Sequence, residues 1–147
     1  MNTTALMIGI AIVSFIIVKF KNNGYEKGAI AYPTFLATFP AYYWFFALYE
    51  QNVAAFVYEV IAGSVFITLA ALAYKSRNVL SLIFLTIGFI GHGAYDILHK
   101  NIYDVSVAPT WWPEFCGSID IILGIYIIWL LKSDNLMRYR NSEHPIK

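Results

Sequence analysis

His92, Asp96 and His99 fall four and three residues apart in the stretch GHGAYDILHK, residues 91–100. At those spacings the three side chains lie on one stripe of a helix, and Tyr103 extends it by a further four residues. Two imidazoles and a carboxylate on one stripe can bind a metal, exchange protons, or hydrogen-bond neighbouring helices. A second stripe, Trp112, Cys116, Asp120 and Gly124, repeats every four residues, and Glu59 stands as a carboxylate within an apolar run.

The surroundings of these residues are those of a membrane. Hydrophobic residues make up 59% of the 147, charged residues only 13%, and the mean hydropathy is +0.61. A water-soluble domain of this size has too much surface to carry so few charges. Apolar windows long enough to cross about 30 Å of hydrocarbon recur along the chain. The expected architecture is all-α: a polytopic membrane bundle of five transmembrane helices over residues 3–18, 28–49, 53–74, 79–99 and 113–131. Residues 1–147 then form a single transmembrane helical domain, with no repeat or low-complexity tract. Pro40 removes a backbone donor inside the second span and is expected to kink it. The short Glu50–Gln51–Asn52 link leaves open whether spans two and three are separate crossings.

Charge places the ends of the spans. Lys19 and Lys21 follow the first apolar run instead of preceding it, the reverse of a cleaved signal peptide. With the N-terminus outside and the C-terminus cytoplasmic, Lys19, Lys21, Lys27, Lys75, Arg77, Lys132, Arg138, Arg140 and Lys147 face the cytoplasm, and Lys100 alone faces out. Trp111 and Trp112 then lie at the outer interface and Trp129 near the inner one. A net charge of +1 argues against a nucleic-acid partner, and the single cysteine excludes an intrachain disulfide.

Counted from the outer ends, Glu59 lies roughly 9 Å deep, His92 and Asp96 roughly 12 and 6 Å, and Asp120 roughly 10 Å, at 1.5 Å per residue. His99 is near the surface. Three helices therefore bring ionisable groups to one level in the outer half of the bilayer. Gly63, Gly88 and Gly124 each stand one turn on the cytoplasmic side of a polar group, predicting a polar cup open to the outside above a glycine-lined floor.

An Asp at a helix centre costs roughly 2.5–3.5 kcal/mol to insert, so several at one level should compensate one another. Interhelical hydrogen bonding is the plainest outcome. A divalent metal, zinc, iron or manganese, is the leading chemistry, held by His92, Asp96 and His99 with help from Glu59 or Asp120. The remaining carboxylate of Glu59 and Asp120 then acts as a catalytic base, in a hydrolase acting on a lipid or other amphiphile. Metal-free acid–base catalysis by a buried carboxyl and a histidine is the next reading. Cys116 reads as a small apolar filler, at most an auxiliary ligand. A non-catalytic accessory or assembly subunit, as a homo-oligomer or beside a partner membrane protein, is the alternative to an enzyme.

Several classes are excluded. His92 and His99 share a helix, so they cannot clamp a haem from facing helices, and three histidines are too few for a membrane desaturase. Ser118 lies off the Cys116–Asp120 stripe, and the inner half of each span offers no polar path for a channel.

HGAYDILHK, followed about twenty residues later by CGSID, resembles a family of small bacterial integral membrane proteins of uncharacterised function. That pattern has a Glu in one helix, His-x3-Asp-x2-His in the next, and Cys-x3-Asp in the last. Glu59, His92, Asp96, His99, Cys116 and Asp120 match it over roughly residues 55–125. Lys100 stands where the pattern has a second adjacent histidine, and Ile119 where it has another cysteine. The resemblance implies a bacterial cytoplasmic membrane and no particular activity.

Overall fold

The computed structural model describes residues 1–27, 29–76, 79–102 and 107–133. They form an all-α bundle of α1 (Thr3–Asn22), α2 (Ala31–Tyr49), α3 (Val53–Ser76), α4 (Val79–Ile102) and α5 (Trp112–Lys132), with a short 3-10 turn at Tyr25–Lys27. Tyr103 and the tail beyond Ser133 lie outside the described residues.

Local signals set the ends of these helices. Asn2 caps α1 by accepting from the Ala5 amide at 3.0 Å. Pro113 starts α5, where its missing N–H is one of the helix's unpaired donors anyway. Between α2 and α3 the chain reverses in three residues. Gln51 takes a left-handed φ of 53°, and the Asn52 side chain accepts from the Ala55 amide at 3.0 Å. Spans two and three are thus separate helices packed side by side.

Four of the five helices, α1, α3, α4 through His99, and α5, are long and apolar enough to cross a membrane. α2 carries no charged residue and its 19 residues span about 28 Å. Its hydropathy is held down by Pro33, Pro40 and the polar tips of Tyr32, Tyr42, Tyr43, Tyr49 and Trp44. Large apolar side chains such as Met7, Phe15, Ile61, Val65, Ile87 and Ile125 face outward, while Glu59, His92, Asp96, His99 and Asp120 are buried. That inversion suits a chain whose surroundings are hydrocarbon.

Neighbours follow the order α1–α5–α4–α3–α2, with the most extensive packing between α4 and α5 among the described residues. α2 closes the ring. Phe20 of α1 packs on Tyr32 and Phe35 at ring separations of 5.2 and 6.4 Å. Leu36 fills the space that a side chain on Gly88 of α4 would need. The glycines therefore do not meet as a common floor: Gly63 receives Pro40 and Trp44, Gly88 receives Leu36, and Gly124 receives Ile90. An aromatic helix inserted beside α3 and α4 takes up the room that small residues leave.

A Cβ at Gly63 would lie 2.7 Å from the Pro40 Cβ, which a rigid pyrrolidine ring cannot vacate. Gly63→Ala is expected to lower the unfolding free energy in detergent by about 1–3 kcal/mol. Gly91→Ala, whose new methyl meets only Phe66 at 3.7 Å, should change it by less than about 0.5 kcal/mol. Denaturation followed by far-UV circular dichroism checks both.

Candidate metal centre

α4 and α5 approach closely at Gly93 and Gly117. A Cβ at Gly93 would come within 2.9 Å of Ile121 and 3.1 Å of the Asp120 Cβ; one at Gly117 would lie 3.5 Å from the Gly93 carbonyl oxygen and 3.6 Å from the Asp96 Cβ. This contact sets His92 and Asp96, one turn apart on α4, against Cys116 and Asp120, one turn apart on α5. His92 Nδ1 is 2.8 Å from Asp120 Oδ2 and 3.6 Å from Asp96 Oδ2, and Cys116 Sγ is 3.9 Å from Asp120 Oδ2. One donor atom from each of the four residues lies within 4.8 Å of the others. All four residues are at most 2% exposed.

Within this group the hydrogen bonding is incomplete. Tyr43 of α2 donates its hydroxyl to Asp96 Oδ1 at 2.8 Å. Asp96 Oδ2 and Asp120 Oδ1 have no hydrogen-bond partner among the described residues. Two buried carboxylates sharing one imidazole leave lone pairs and negative charge uncompensated, which is costly in an apolar interior. The group could hold a metal ion, with one donor atom from each of the four residues. Ligands about 2.0–2.3 Å from a tetrahedral zinc stand about 3.3–3.8 Å apart, a spacing that the observed separations bracket.

A second cluster joins α3 to α4. His99 Nε2 lies 2.5 Å from Glu59 Oε1, and the Tyr95 hydroxyl donates to Glu59 Oε2 at 2.8 Å. Trp44 of α2 donates its indole N–H to the Glu59 backbone carbonyl at 3.0 Å. Of the sequence-predicted metal ligands, the structure brings His92 and Asp96 together and sets His99 apart with Glu59. Seven residues separate the two histidines, about 10 Å along the axis, too far for one ion to take both. The two carboxylates expected to serve as bases are likewise divided, Asp120 beside His92 and Glu59 beside His99. The predicted open cup is closed: Glu59 and His99 are also at most 2% exposed, and Phe39, Tyr43 and Phe66 pack against the rings of the two histidines.

Tyr43 and Trp44 were legible only as part of the aromatic run at the end of α2, where packing and an interfacial belt are the ordinary reading. Their weight comes from where α2 sits. Gly93 and Gly117 each adjoin a ligand-type residue in the sequence, a signal that the one-turn glycine pattern passed over. No family model, curated protein or solved structure matches this chain.

Glu59→Leu would remove the buried carboxylate that His99 and Tyr95 both bond, and should cost about 3–5 kcal/mol of stability. Glu59→Gln, which keeps an acceptor for Tyr95, should cost only about 1 kcal/mol. Urea titration of the detergent-solubilised protein distinguishes the two.

Proposed function

We propose that this is a five-span membrane protein that holds one divalent transition metal between α4 and α5, in the outer half of the bilayer. The observation that carries the reading is the convergence of four donor atoms within 4.8 Å, in a group where Asp96 Oδ2 and Asp120 Oδ1 have no hydrogen-bond partner among the described residues. The ligands are His92, Asp96, Cys116 and Asp120. A set of one nitrogen, one thiolate and two carboxylates favours zinc; manganese prefers all-oxygen sites, and iron is the second fit.

Five crossings with the N-terminus outside agree with how the helix ends meet. Asn2 N donates to Glu114 Oε1 at one end of the bundle, and the Tyr126 hydroxyl donates to Glu26 at the other. α1 and α5 therefore run parallel, which suits three intervening crossings. α1, α3 and α5 each end in lysine, at Lys19 and Lys21, Lys75, and Lys132, as a cytoplasmic end should. The motif resemblance supports a bacterial cytoplasmic membrane as the setting.

Four protein ligands in a closed site match a metal that ties helices together, since catalytic zinc usually keeps one position open. Hydrolysis of a lipid or other amphiphile is the second reading. It is favoured by the Glu59–His99 pair, a carboxylate and an imidazole beside the metal group with Tyr43 between. In that reading an aspartate must leave the metal to open a position.

Protein purified without a histidine tag is expected to contain about one zinc per chain by elemental analysis, and His92→Ala to contain none. Cys116→Ser should weaken zinc more than manganese, because the lost thiolate is the softest ligand. Absence of metal in wild type after exposure to zinc, iron, manganese and copper would overturn the proposal. If chelation lowers the melting temperature and a panel of amphiphilic esters and amides is left intact, the ion is structural. Turnover that disappears on chelation and in Glu59→Gln supports the hydrolase.

A further inference from the structure

The metal group draws its donors from α4 and α5, yet the residue that orients one of them comes from α2. Tyr43 is 1% exposed, and its hydroxyl is committed to Asp96 Oδ1 at 2.8 Å. That bond occupies one face of the carboxylate and turns Oδ2, the atom 3.6 Å from His92 Nδ1, toward the other donors. The ring is held on three sides: 4.5 Å from His99 at an interplanar angle of 33°, 5.6 Å from Tyr95 edge-on, and 6.2 Å from Phe46 edge-on. α2 is itself fixed at this height. Pro40 seats on Gly63 of α3 one turn below, and Trp44 bonds the Glu59 carbonyl.

Resting on the metal reading above, we propose that Tyr43 is a positioning residue of the centre, which restricts Asp96 to binding the ion through Oδ2 alone. Partners of this kind fix the orientation of a ligating carboxylate, and their removal commonly weakens metal binding 10–100-fold. The consequence is a low coordination number in which Asp96 occupies one site instead of two. Tyr32, on the same helix and 2% exposed, supplies a control: its hydroxyl has no hydrogen-bond partner among the described residues.

Cobalt(II) reports both affinity and geometry, so the test loads full-length wild type, Tyr43→Phe and Tyr32→Phe with cobalt in detergent. Wild type should show intense visible bands and a thiolate charge-transfer band from Cys116. Tyr43→Phe should bind at least about 10-fold more weakly, with fainter visible bands as Asp96 offers both oxygens. Tyr32→Phe should match wild type. Equal affinity and an unchanged spectrum in Tyr43→Phe overturn the proposal, as does a fall in its apo melting temperature alone. Cobalt failing to bind wild type overturns the metal reading and this inference together, whereas binding without a Tyr43 effect overturns only the latter. Should Tyr43→Phe not fold, the infrared carboxylate bands of 13C-aspartate-labelled wild type decide instead. A wide splitting, that of one-oxygen ligation, is expected for Asp96 and should vanish in Asp96→Asn; a narrow one overturns the proposal.

Discussion

Charge compensation inside an apolar bundle is the constraint on which the rest of the structure depends. Glu59, His92, Asp96, His99 and Asp120 are all buried within helices whose outer surfaces are hydrocarbon-like. All are closed off from solvent by the protein itself, so each must find partners on a neighbouring helix. The partners then dictate which helices touch, at what height and on which face. α4 lies at the centre of this network, because it reaches α5 through His92, α2 through Asp96 and α3 through His99.

The two clusters differ in how completely they are compensated. Glu59 accepts from His99 and Tyr95 on its two side-chain oxygens, and its own carbonyl accepts from Trp44. That is a closed arrangement, suited to holding α3 against α4. The α4–α5 group has the opposite character, with one imidazole between two carboxylates and, on each, an oxygen with no hydrogen-bond partner among the described residues. Small residues make this possible: a Cβ at Gly93 would crowd Ile121 and Asp120, and Gly117 packs against the Gly93 carbonyl, so the backbones come near enough for four short side chains to converge. A group built so closely and left electrostatically unfinished is what distinguishes a candidate ion site from interhelical hydrogen bonding.

α2 links the two. Pro40 removes the backbone bond that an uninterrupted helix would make and seats its ring on Gly63, and the next turn presents Tyr43 and Trp44 to different clusters. Successive residues on a helix point about 100° apart, so neighbours can serve α4 and α3 at once. The helix with the weakest membrane signature thus does the most to order the buried polar groups. Its tyrosine and tryptophan tips lower its hydropathy and also provide the donors that the carboxylates require.

The sequence by itself determined the class of fold and the candidate side chains. Hydropathy alone marks α1, α3, α4 and α5 as long and apolar enough to cross, because crossing hydrocarbon demands about 20 apolar residues whatever the partners are. The four-residue spacings placed His92 with Asp96, and Cys116 with Asp120, on single stripes, since helical periodicity is a local property. Pairing across helices was decided only by tertiary structure. Helix order, rotation about each axis and close approach at particular glycines depend on contacts distant in sequence. For that reason His99 joined Glu59 instead of His92, Cys116 joined the group of residues that could hold a metal, and the glycine floor became seats for Pro40, Leu36 and Ile90. Tyr43 belongs to the same category: one tyrosine among eleven in the sequence, it acquires its role from the carboxylate that folding sets 2.8 Å from its hydroxyl.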